Sequence, residues 1–200
     1  MNNIGKKLII TGGILVMLSA CMFIHNIYEE QEAGRKSAHV LNDIKSIISE
    51  HEENNMQTVN YYEKSEKMNT ININGYDYIG SIVIPNLNLE LPVMSEFDYN
   101  RLKIAPCRYY GSVHTNDFII CAHAYKTHFR YITELKQKDK IIFTDVDGQN
   151  YVYEVLDIEF LRPDEVSRMI DNEFDLTLYT CTLDGNHRVT VRCNRVLDAI

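Results

Sequence analysis

The amino-acid sequence predicts a mainly β protein, in which a closed β-barrel with short helices follows one N-terminal transmembrane helix. The helix is predicted by an uncharged, largely apolar run near the start of the chain, from Leu8 to Ile24. The barrel is predicted by seven or eight short segments after residue 75 in which apolar residues recur at alternate positions. Closure is expected because it is how an antiparallel sheet avoids exposed edges.

The composition is that of a folded protein without a nucleic acid partner. Of the 200 residues, 45% are hydrophobic and 24% are charged, which is ordinary for a globular chain. The formal net charge is -8. Nucleic acid binding depends mainly on clustered Lys and Arg side chains, so an acidic chain of this kind is not expected to bind it.

Residues 1–7 are predicted to be a cytoplasmic tail and residues 8–28 a transmembrane signal-anchor. The run from Leu8 to Ile24 is just long enough, because a helix needs about 17 to 25 residues to cross a bilayer core. Basic residues precede the run and acidic residues follow it, which predicts an inside N-terminus and an extracellular remainder. These charged residues are Lys6, Lys7, Glu29, Glu30 and Glu32.

Two cleaved forms of this segment are the alternatives. One is a signal peptide that is removed after export. The other is a lipoprotein signal, because "LSAC" resembles a processing box in which Cys21 would carry the lipid. The apolar run continues from Met22 to Ile24, which favours the uncleaved anchor. All three interpretations place the remaining chain outside the cytoplasm.

Residues 29–74 are predicted to form a juxtamembrane helix and a spacer. Five aliphatic residues fall on one face of that helix: Val40, Leu41, Ile44, Ile47 and Ile48. The polar stretch "HEENNMQTVNYYEKSEKMNT" that follows has no periodicity. It is expected to be flexible and to hold the folded domain away from the membrane.

Residues 75–200 are predicted to be the folded domain, and its first half contains three strands. "YIGSIVIPNLNLELPV" alternates apolar residues with interruptions at Pro85 and Pro92, which predicts two strands joined by a tight connection. "DYNRLKIAPCRYYGS" predicts a short helix, stopped by Pro106 and Gly111. "DFIICAH" predicts an apolar strand that ends at His123.

The second half of the domain begins with a helical turn in "HFRYITELKQKDK". "KIIFTDVDGQNYVYEVLDIEFL" predicts a hairpin, in which Asp147 and Gly148 form the turn. A loop with a short helical segment follows, in "RPDEVSRMIDNEFD". The last two strands are predicted from Leu176 to Cys181 and from Arg188 to Val196.

Four cysteines lie beyond the predicted membrane span: Cys107, Cys121, Cys181 and Cys193. An even number in an exported chain is typical of disulfides. A domain of this size has a sufficient core without them, so burial as free thiols is expected for Cys107 and Cys193. Cys181 is different, because it ends a strand at the predicted rim of the barrel.

Cys181 and Arg188 are predicted to face each other across the last hairpin, as a nucleophile and an oxyanion donor. A thiol becomes a nucleophile when its surroundings favour the thiolate. An arginine keeps its charge and offers a fork of donors, which suits a carbonyl oxygen that gains negative charge. The mechanism also needs a proton donor for the leaving group, most often a histidine.

His123 is the leading candidate for this acid, because it ends the apolar strand "DFIICA" and can reach a rim site. His114, His128 and His187 stay open as alternatives on position alone. The remaining histidines fall in the anchor or the spacer: His25, His39 and His51.

These motifs resemble those of the sortases, membrane-anchored cysteine transpeptidases of Gram-positive bacteria. "TLYTC" resembles the nucleophile motif and contains Cys181, and "CAHAY" resembles the histidine motif and selects His123. "HRVTVR" resembles the arginine strand and selects Arg188. The resemblance covers about residues 75–196 and implies a closed eight-stranded barrel of the sortase type.

The resemblance also implies a reaction. Cys181 would attack the Thr carbonyl of an LPXTG-like sorting signal, His123 would be the acid and base, and Arg188 would stabilise the oxyanion. Thr180 would help shape the substrate groove, or would be an ordinary strand residue. The implied partners are surface proteins with C-terminal sorting signals, and an amine of a peptidoglycan precursor or a pilin. No cofactor or metal is implied.

The acidic segment between residues 161 and 175 could bind calcium, as in some sortases, although a solvated loop is favoured. Three other functions compete with the transpeptidase. A zinc site is disfavoured because the chain has neither a Cys-x-x-Cys nor a His-Glu-x-x-His motif. A membrane-tethered binding module would have Cys181 buried or in a disulfide. A cysteine peptidase would use water as the acceptor.

Overall fold

The computed structural model describes residues 3–55, 67–171 and 173–196. Its helices are α1 (Asn3–Asn55), α2 (Tyr99–Leu102) and α3 (Val166–Ile170), with 3₁₀ turns at Pro85–Leu87 and Ile132–Glu134. Its strands are β1 (Ile71–Ile73), β2 (Tyr76–Ile84), β3 (Leu89–Met94), β4 (Cys107–Tyr110), β5 (Phe118–Cys121), β6 (Lys140–Asp145), β7 (Asn150–Leu161), β8 (Leu176–Cys181) and β9 (Arg188–Arg195). Much of the predicted spacer, residues 56–66, lies outside the described residues.

The predicted closed barrel is confirmed. Its strands follow the order β2-β3-β4-β5-β8-β9-β7-β6, and β6 pairs with β2 to close a ring of eight strands. The short strand β1 pairs only with β2 and lies outside the ring. Two neighbouring pairs are parallel, β3 with β4 and β5 with β8, and the other pairs in the ring are antiparallel.

Gly80 makes the closure of the ring possible. It lies where β2 pairs with β3 on one side and with β6 on the other. Its φ is +149°, and a Cβ at this position would lie 2.0 Å from the backbone oxygen of Thr144. Only glycine therefore allows β2 and β6 to approach this closely.

Strand β4 was not predicted by the sequence, which gave only a short helix in this region. The helix is present as α2, capped by the Asp98 side chain, which accepts hydrogen bonds from the backbone N–H groups of Asn100 and Arg101. The four residues of β4 then pair with β5, with a register shift after Arg108. A strand this short and irregular shows no period-two alternation in the sequence from which it could be predicted.

The inside of the barrel is filled by the inward-facing half of each strand. Phe118 and Phe143 pack edge to face with their ring centroids 5.1 Å apart, and His114 lies against Tyr151 at the edge of this core, 6.3 Å between ring centroids. Cys193 is fully buried in the same cluster. The strands thus alternate between this core and an outer face, as expected for a barrel.

Helix α1 is continuous from the predicted anchor into the predicted juxtamembrane helix. Its most apolar window of 18 residues has a mean hydropathy of 2.2 and is not buried by the rest of the protein. This part of α1 fits a single-pass membrane anchor. The described residues give no break between the anchor and the amphipathic stretch that follows it.

The second part of α1 packs along the outside of the barrel. Ile44 is fully buried and Val40 is 6% exposed, and both contact a cluster that includes Tyr78, Met94 and Cys121. The aliphatic face predicted for this segment therefore exists, and it covers the outer face of β2 to β5. The predicted domain boundaries stay a prediction, but the helix contacts the barrel rather than standing clear of it.

Candidate active site

The outer face of β8 carries the candidate nucleophile. Alternation along this strand points Thr177, Tyr179 and Cys181 outward, while Leu176 and Leu178 belong to the barrel core. In the antiparallel register with β9, Cys181 lies directly opposite Arg188. Residues that face each other in such a pair have their side chains on the same side of the sheet. The predicted pairing of these two side chains is therefore present in the fold.

His123 is brought to the same row by the strand on the other side of β8. Strands β5 and β8 are parallel, with Cys121 beside Tyr179, and the Ala122 N–H donates to the Tyr179 carbonyl at 3.2 Å. Continuing this register by two residues places His123 level with Cys181. The structure thus brings His123, Cys181 and Arg188 to one end of three neighbouring strands.

Cys181 differs from the other thiols of the barrel in its exposure. All five cysteines of the chain lie among the described residues and all are unpaired, and Cys181 is only partly buried. The others in the barrel are Cys107, Cys121 and Cys193, which are fully buried. Burial raises the pKa of all three of these thiols, so they stay protonated at neutral pH. Cys181 has neither the burial nor the disulfide that a purely structural cysteine would show.

A tight turn from Thr182 to His187 holds Cys181 opposite Arg188. The Thr182 N–H donates to the His187 carbonyl at 2.9 Å, and Gly185 has a φ of +75°. The Asp184 carboxylate accepts hydrogen bonds from Thr182 and Asn186, which lower its pKa. The Arg188 Nη1 donates to the carbonyls of Gly185 and His187, both at 3.3 Å. The guanidinium is therefore held at the turn end of the hairpin.

His123 is the second residue of the segment from Ala122 to Arg130, here called the histidine loop. Two hydrogen bonds within the loop stabilise its conformation. The Phe129 N–H donates to the His123 carbonyl at 3.2 Å, and the Arg130 Nε donates to the Ala124 carbonyl at 3.0 Å. His123 is partly buried, with its ring 4.9 Å from that of Tyr125.

The surroundings of His123 favour a neutral imidazole. Burial lowers its pKa below the usual value of 6.5, nearby Lys103 lowers it further, and Glu29 of α1 acts in the opposite direction. At neutral pH the ring is therefore mainly unprotonated and able to accept a proton. His128, an alternative candidate, is 1% exposed and cannot reach a substrate. His187 is exposed in the turn, and His114 packs against Tyr151.

Thr180 is placed on the other side of β8 from Cys181. It is 2% exposed, and its Oγ1 donates to the Ala122 carbonyl at 2.8 Å. Its side chain therefore offers almost no surface to a peptide. The groove-shaping role predicted for Thr180 stays a prediction, and it would act by fixing the start of the histidine loop.

Arg192 is a residue of this face that the sequence reasoning missed. It is 2% exposed and opposite Thr177, and its guanidinium donates to Thr177 Oγ1 at 3.0 Å and to Glu159 at 2.8 Å. It also donates to the Arg168 carbonyl at 2.6 Å and so ties α3 to the barrel. Period-two spacing puts it on the same face as Arg188, which is the signal that could have found it.

Two depressions lie beside Arg188 and Cys181. On one side is a pocket of about 50 Å³ between α3 and the outer face, lined by Tyr109, Val166, Met169, Tyr179 and Arg188. On the other side is an open groove of about 540 Å³. It is lined by Ala124, Arg130, Phe160, Cys181, Leu183 and His187, among others. Arg188 thus lines the first depression and Cys181 the second, and the two could hold the two sides of a scissile bond.

The acidic segment between residues 161 and 175 is largely engaged with basic groups or backbone donors. Glu165 accepts from the Arg162 N–H and from Arg168, and Asp175 accepts from the Arg195 N–H at 2.7 Å. Among residues 3–55, 67–171 and 173–196, no group of three or more His, Cys, Asp or Glu side chains could hold a metal ion.

The sortase domain family matches this chain over residues 82–196. Sortase C from Streptococcus pneumoniae is similar in structure, with a TM-score of 0.61, 20% identity and coverage of 79% of this chain and 96% of that one. A sortase D5 transpeptidase from Clostridium perfringens has a TM-score of 0.60, 20% identity and coverage of 81% and 99%. At this identity both similarities establish the fold alone. The chain matches none of the curated proteins with which it was compared.

A third similar structure is sortase C from Clostridium perfringens with the C-terminal cell wall sorting motif. It has a TM-score of 0.54, 21% identity and coverage of 79% of this chain and 90% of that one.

Proposed function

The chain belongs to the sortase family, and we propose that it is a membrane-anchored cysteine transpeptidase that cleaves LPXTG-like sorting signals of surface proteins. The observation that carries the proposal is the register of β8 and β9. It places Cys181, the one partly exposed thiol of the barrel, directly opposite Arg188, and β5 delivers His123 to the same row. A nucleophile, an oxyanion donor and an acid can then act on a single carbonyl.

In the first half of the reaction Cys181 Sγ adds to the Thr carbonyl of the sorting signal. The thiol proton passes to the neutral imidazole of His123, and Arg188 donates hydrogen bonds to the developing oxyanion. Collapse of the intermediate breaks the C–N bond, and the His123 imidazolium gives its proton to the departing amine. The product is a thioester between Cys181 and the surface protein.

In the second half an amine attacks the thioester. The amine belongs to a peptidoglycan precursor or to a neighbouring pilin. Its proton passes to His123 and then to the departing Cys181 sulfur, which restores the free enzyme. The alternative of a peptidase with water as acceptor differs only in this step.

The membrane arrangement is part of the proposal. The apolar part of α1 would cross the cell membrane with the N-terminus inside, because Lys6 and Lys7 precede it and acidic residues follow it. The barrel would then lie outside the cell, where surface proteins and wall precursors are found.

The test uses a quenched LPXTG-type peptide with a glycine or diaminopimelate-type amine, and follows cleavage and ligation by mass spectrometry. Cys181→Ala should abolish the thioacyl adduct and both products. The matched control is Cys193→Ala, a buried thiol in the core, which should keep the activity and lose only stability. Cleavage without ligation would support the peptidase. An enzyme that forms no adduct at Cys181 with any sorting peptide would contradict the proposal.

A further inference from the structure

The first turns of α1 beyond the anchor lie against the histidine loop. The Glu30 carboxylate accepts a hydrogen bond from the Lys126 N–H, and the Glu30 carbonyl accepts one from Thr127 Oγ1 at 3.3 Å. Gly34 fits closely here, because a Cβ on it would lie 2.7 Å from Thr127 Cγ2. Ala33, beside it on the helix, is fully buried. The histidine loop is therefore packed against the helix that carries the proposed membrane anchor.

Ser37 is the buried polar contact of this interface. It is 2% exposed, its Oγ donates to the Ile104 carbonyl at 2.6 Å, and the same oxygen lies 3.2 Å from His128 Nε2. A hydroxyl has one proton, and a carbonyl can only accept. Ser37 therefore gives its proton to Ile104 and accepts one from His128, which fixes the tautomer of His128 with its hydrogen on Nε2.

The His128 ring connects Ser37 to the row formed by His123, Cys181 and Arg188. Its centroid lies 5.5 Å from that of Tyr125, and the Tyr125 ring lies 4.9 Å from that of His123. The backbone N–H of His128 also donates to the Tyr125 carbonyl at 3.0 Å. Packed rings transmit position because they cannot move independently in a dense interior. A displacement at Ser37 would thus reach His123 through two rings.

An ion pair of the same helix faces His123. Glu29 binds Lys103 at 3.1 Å, and these two groups are the charges that act on the His123 imidazole from α1 and from the segment after α2. Within its own loop His123 faces Tyr125 and His128. Helix α1 therefore acts on His123 through the charge of Glu29 as well as through packing contacts.

We propose that residues 29–48 of α1 are a working part of the active site rather than a tether. Ser37, which is itself fixed by its hydrogen bond to the Ile104 carbonyl, is a positioning residue that holds the histidine loop through His128. The inference rests on the proposed function in assigning a reaction to His123. It goes beyond that function in making the anchor helix necessary for the geometry of the catalytic histidine.

The kinetic test compares Ser37→Ala with Ser46→Ala in the full-length protein in detergent micelles. Ser46 lies on the same helix but is exposed, and its hydroxyl binds only within the helix, to the Asp43 carbonyl. Ser37→Ala should lower kcat roughly tenfold and leave KM within about twofold, since small displacements of a catalytic group reduce the rate steeply. Equal kcat in the two variants would overturn the proposal. So would a loss of kcat that only parallels the loss of folded protein.

A second test needs no turnover, so its failure is distinguishable from a failure of the proposed function. The imidazole of His123 is titrated by NMR in Glu29→Gln and in the control Glu32→Gln, whose carboxylate binds Arg35 and Lys36 within the helix. The two carboxylates are similarly exposed, Glu29 at 33% and Glu32 at 25%. Glu29→Gln should move the His123 titration to lower pH, because Glu29 raises its pKa. Identical titrations in the two variants would overturn the proposal.

Discussion

At the scale of single residues, position on a strand decides which thiol of this barrel is available for chemistry. Cys121 and Cys181 both lie on the outer face, but α1 covers the first and the second lies at the strand end. Cys193 faces the core. The same chemical group is therefore inert at one position and accessible at another, and the difference comes from register and covering elements.

Burial of His128 predicts a pH dependence of stability. Burial, with a smaller effect of His123, lowers the pKa of His128 from 6.5 to about 4. Between these values the unfolded chain binds the proton and the folded chain does not, so the free energy of unfolding falls as the pH falls from 6.5 towards 4. Each pKa unit corresponds to about 1.4 kcal/mol, which gives a total loss of roughly 3 kcal/mol.

The control for this prediction is His128→Gln, which can still donate to Ser37 but cannot take up a proton. Urea unfolding of both proteins at pH 7 and pH 4 isolates the contribution of His128, because all other titrating groups are shared. We expect the variant to lose less stability than the parent over this range. Equal losses would show that His128 is protonated in the folded protein.

The residues of the candidate row could be predicted from the sequence, but their surroundings could not. Cys181 and Arg188 could be paired because alternation and hairpin register are properties of the backbone that appear in the sequence. His123 could be placed at the end of its strand for the same reason. The ion pair of Glu29 with Lys103 and the contact of Ser37 with His128 join residues 74 and 91 positions apart. No local pattern predicts contacts of that separation.

At the scale of elements, α3 forms a wall of the small pocket beside Arg188 although it is only five residues long. A helix of this length has no stability of its own. It is held by Arg192, whose guanidinium reaches the carbonyls of Arg168 and Met169 from the barrel wall. The shape of the pocket therefore depends on a buried cation beneath it.

Arg192→Met should detach α3 from the barrel. The substitution leaves Glu159 and Thr177 without their buried donor, and we expect a loss of about 2 kcal/mol in the free energy of unfolding. Hydrogen exchange at Met169 and Asp171, whose amides bond within α3, should become faster. The KM for a sorting peptide should rise if α3 contacts it.

The control is Arg168→Met, which removes an exposed partner of the same Glu159 carboxylate. Surface ion pairs contribute about 0 to 1 kcal/mol, so this variant should stay close to the parent. If the two arginine variants lose the same stability and show the same exchange, the buried guanidinium is not what holds α3.

The existence of strand β4 and the contacts of helix α1 could not be predicted from the sequence. A four-residue strand between Pro106 and Gly111 has too few positions for a period to be visible. The aliphatic face of α1 was visible, but amphipathicity does not state what an apolar face will contact. The sequence suggested a helix beside a flexible spacer, and the structure places that face against the outer surface of β2 to β5.

At the scale of the whole molecule, the barrel and α1 form one packed unit. The outer cluster joins Val40 and Ile44 of α1 to Ile73 of β1, Tyr78 of β2 and Leu102 of α2. Lys45 also pairs with Glu90 at 2.7 Å, at the far end of the contact from Glu29. The helix therefore contacts the barrel along its side, from the predicted membrane surface to β3.

Two truncated proteins test whether this unit is needed. A protein of residues 29–200 keeps the packed part of α1, and a protein of residues 55–200 removes it. Val40, Leu41 and Ile44 are at most 8% exposed, and burial of such side chains contributes about 1.5 to 3 kcal/mol each. The shorter protein should therefore melt at a lower temperature, bind an apolar dye at the uncovered cluster and have a lower kcat.

The longer protein is the control. It should match the full chain in a soluble peptide assay, because the removed anchor makes no buried contact with the barrel. If both truncated proteins match the full chain in melting temperature and kcat, α1 is only a tether, and His123 is positioned by the barrel alone.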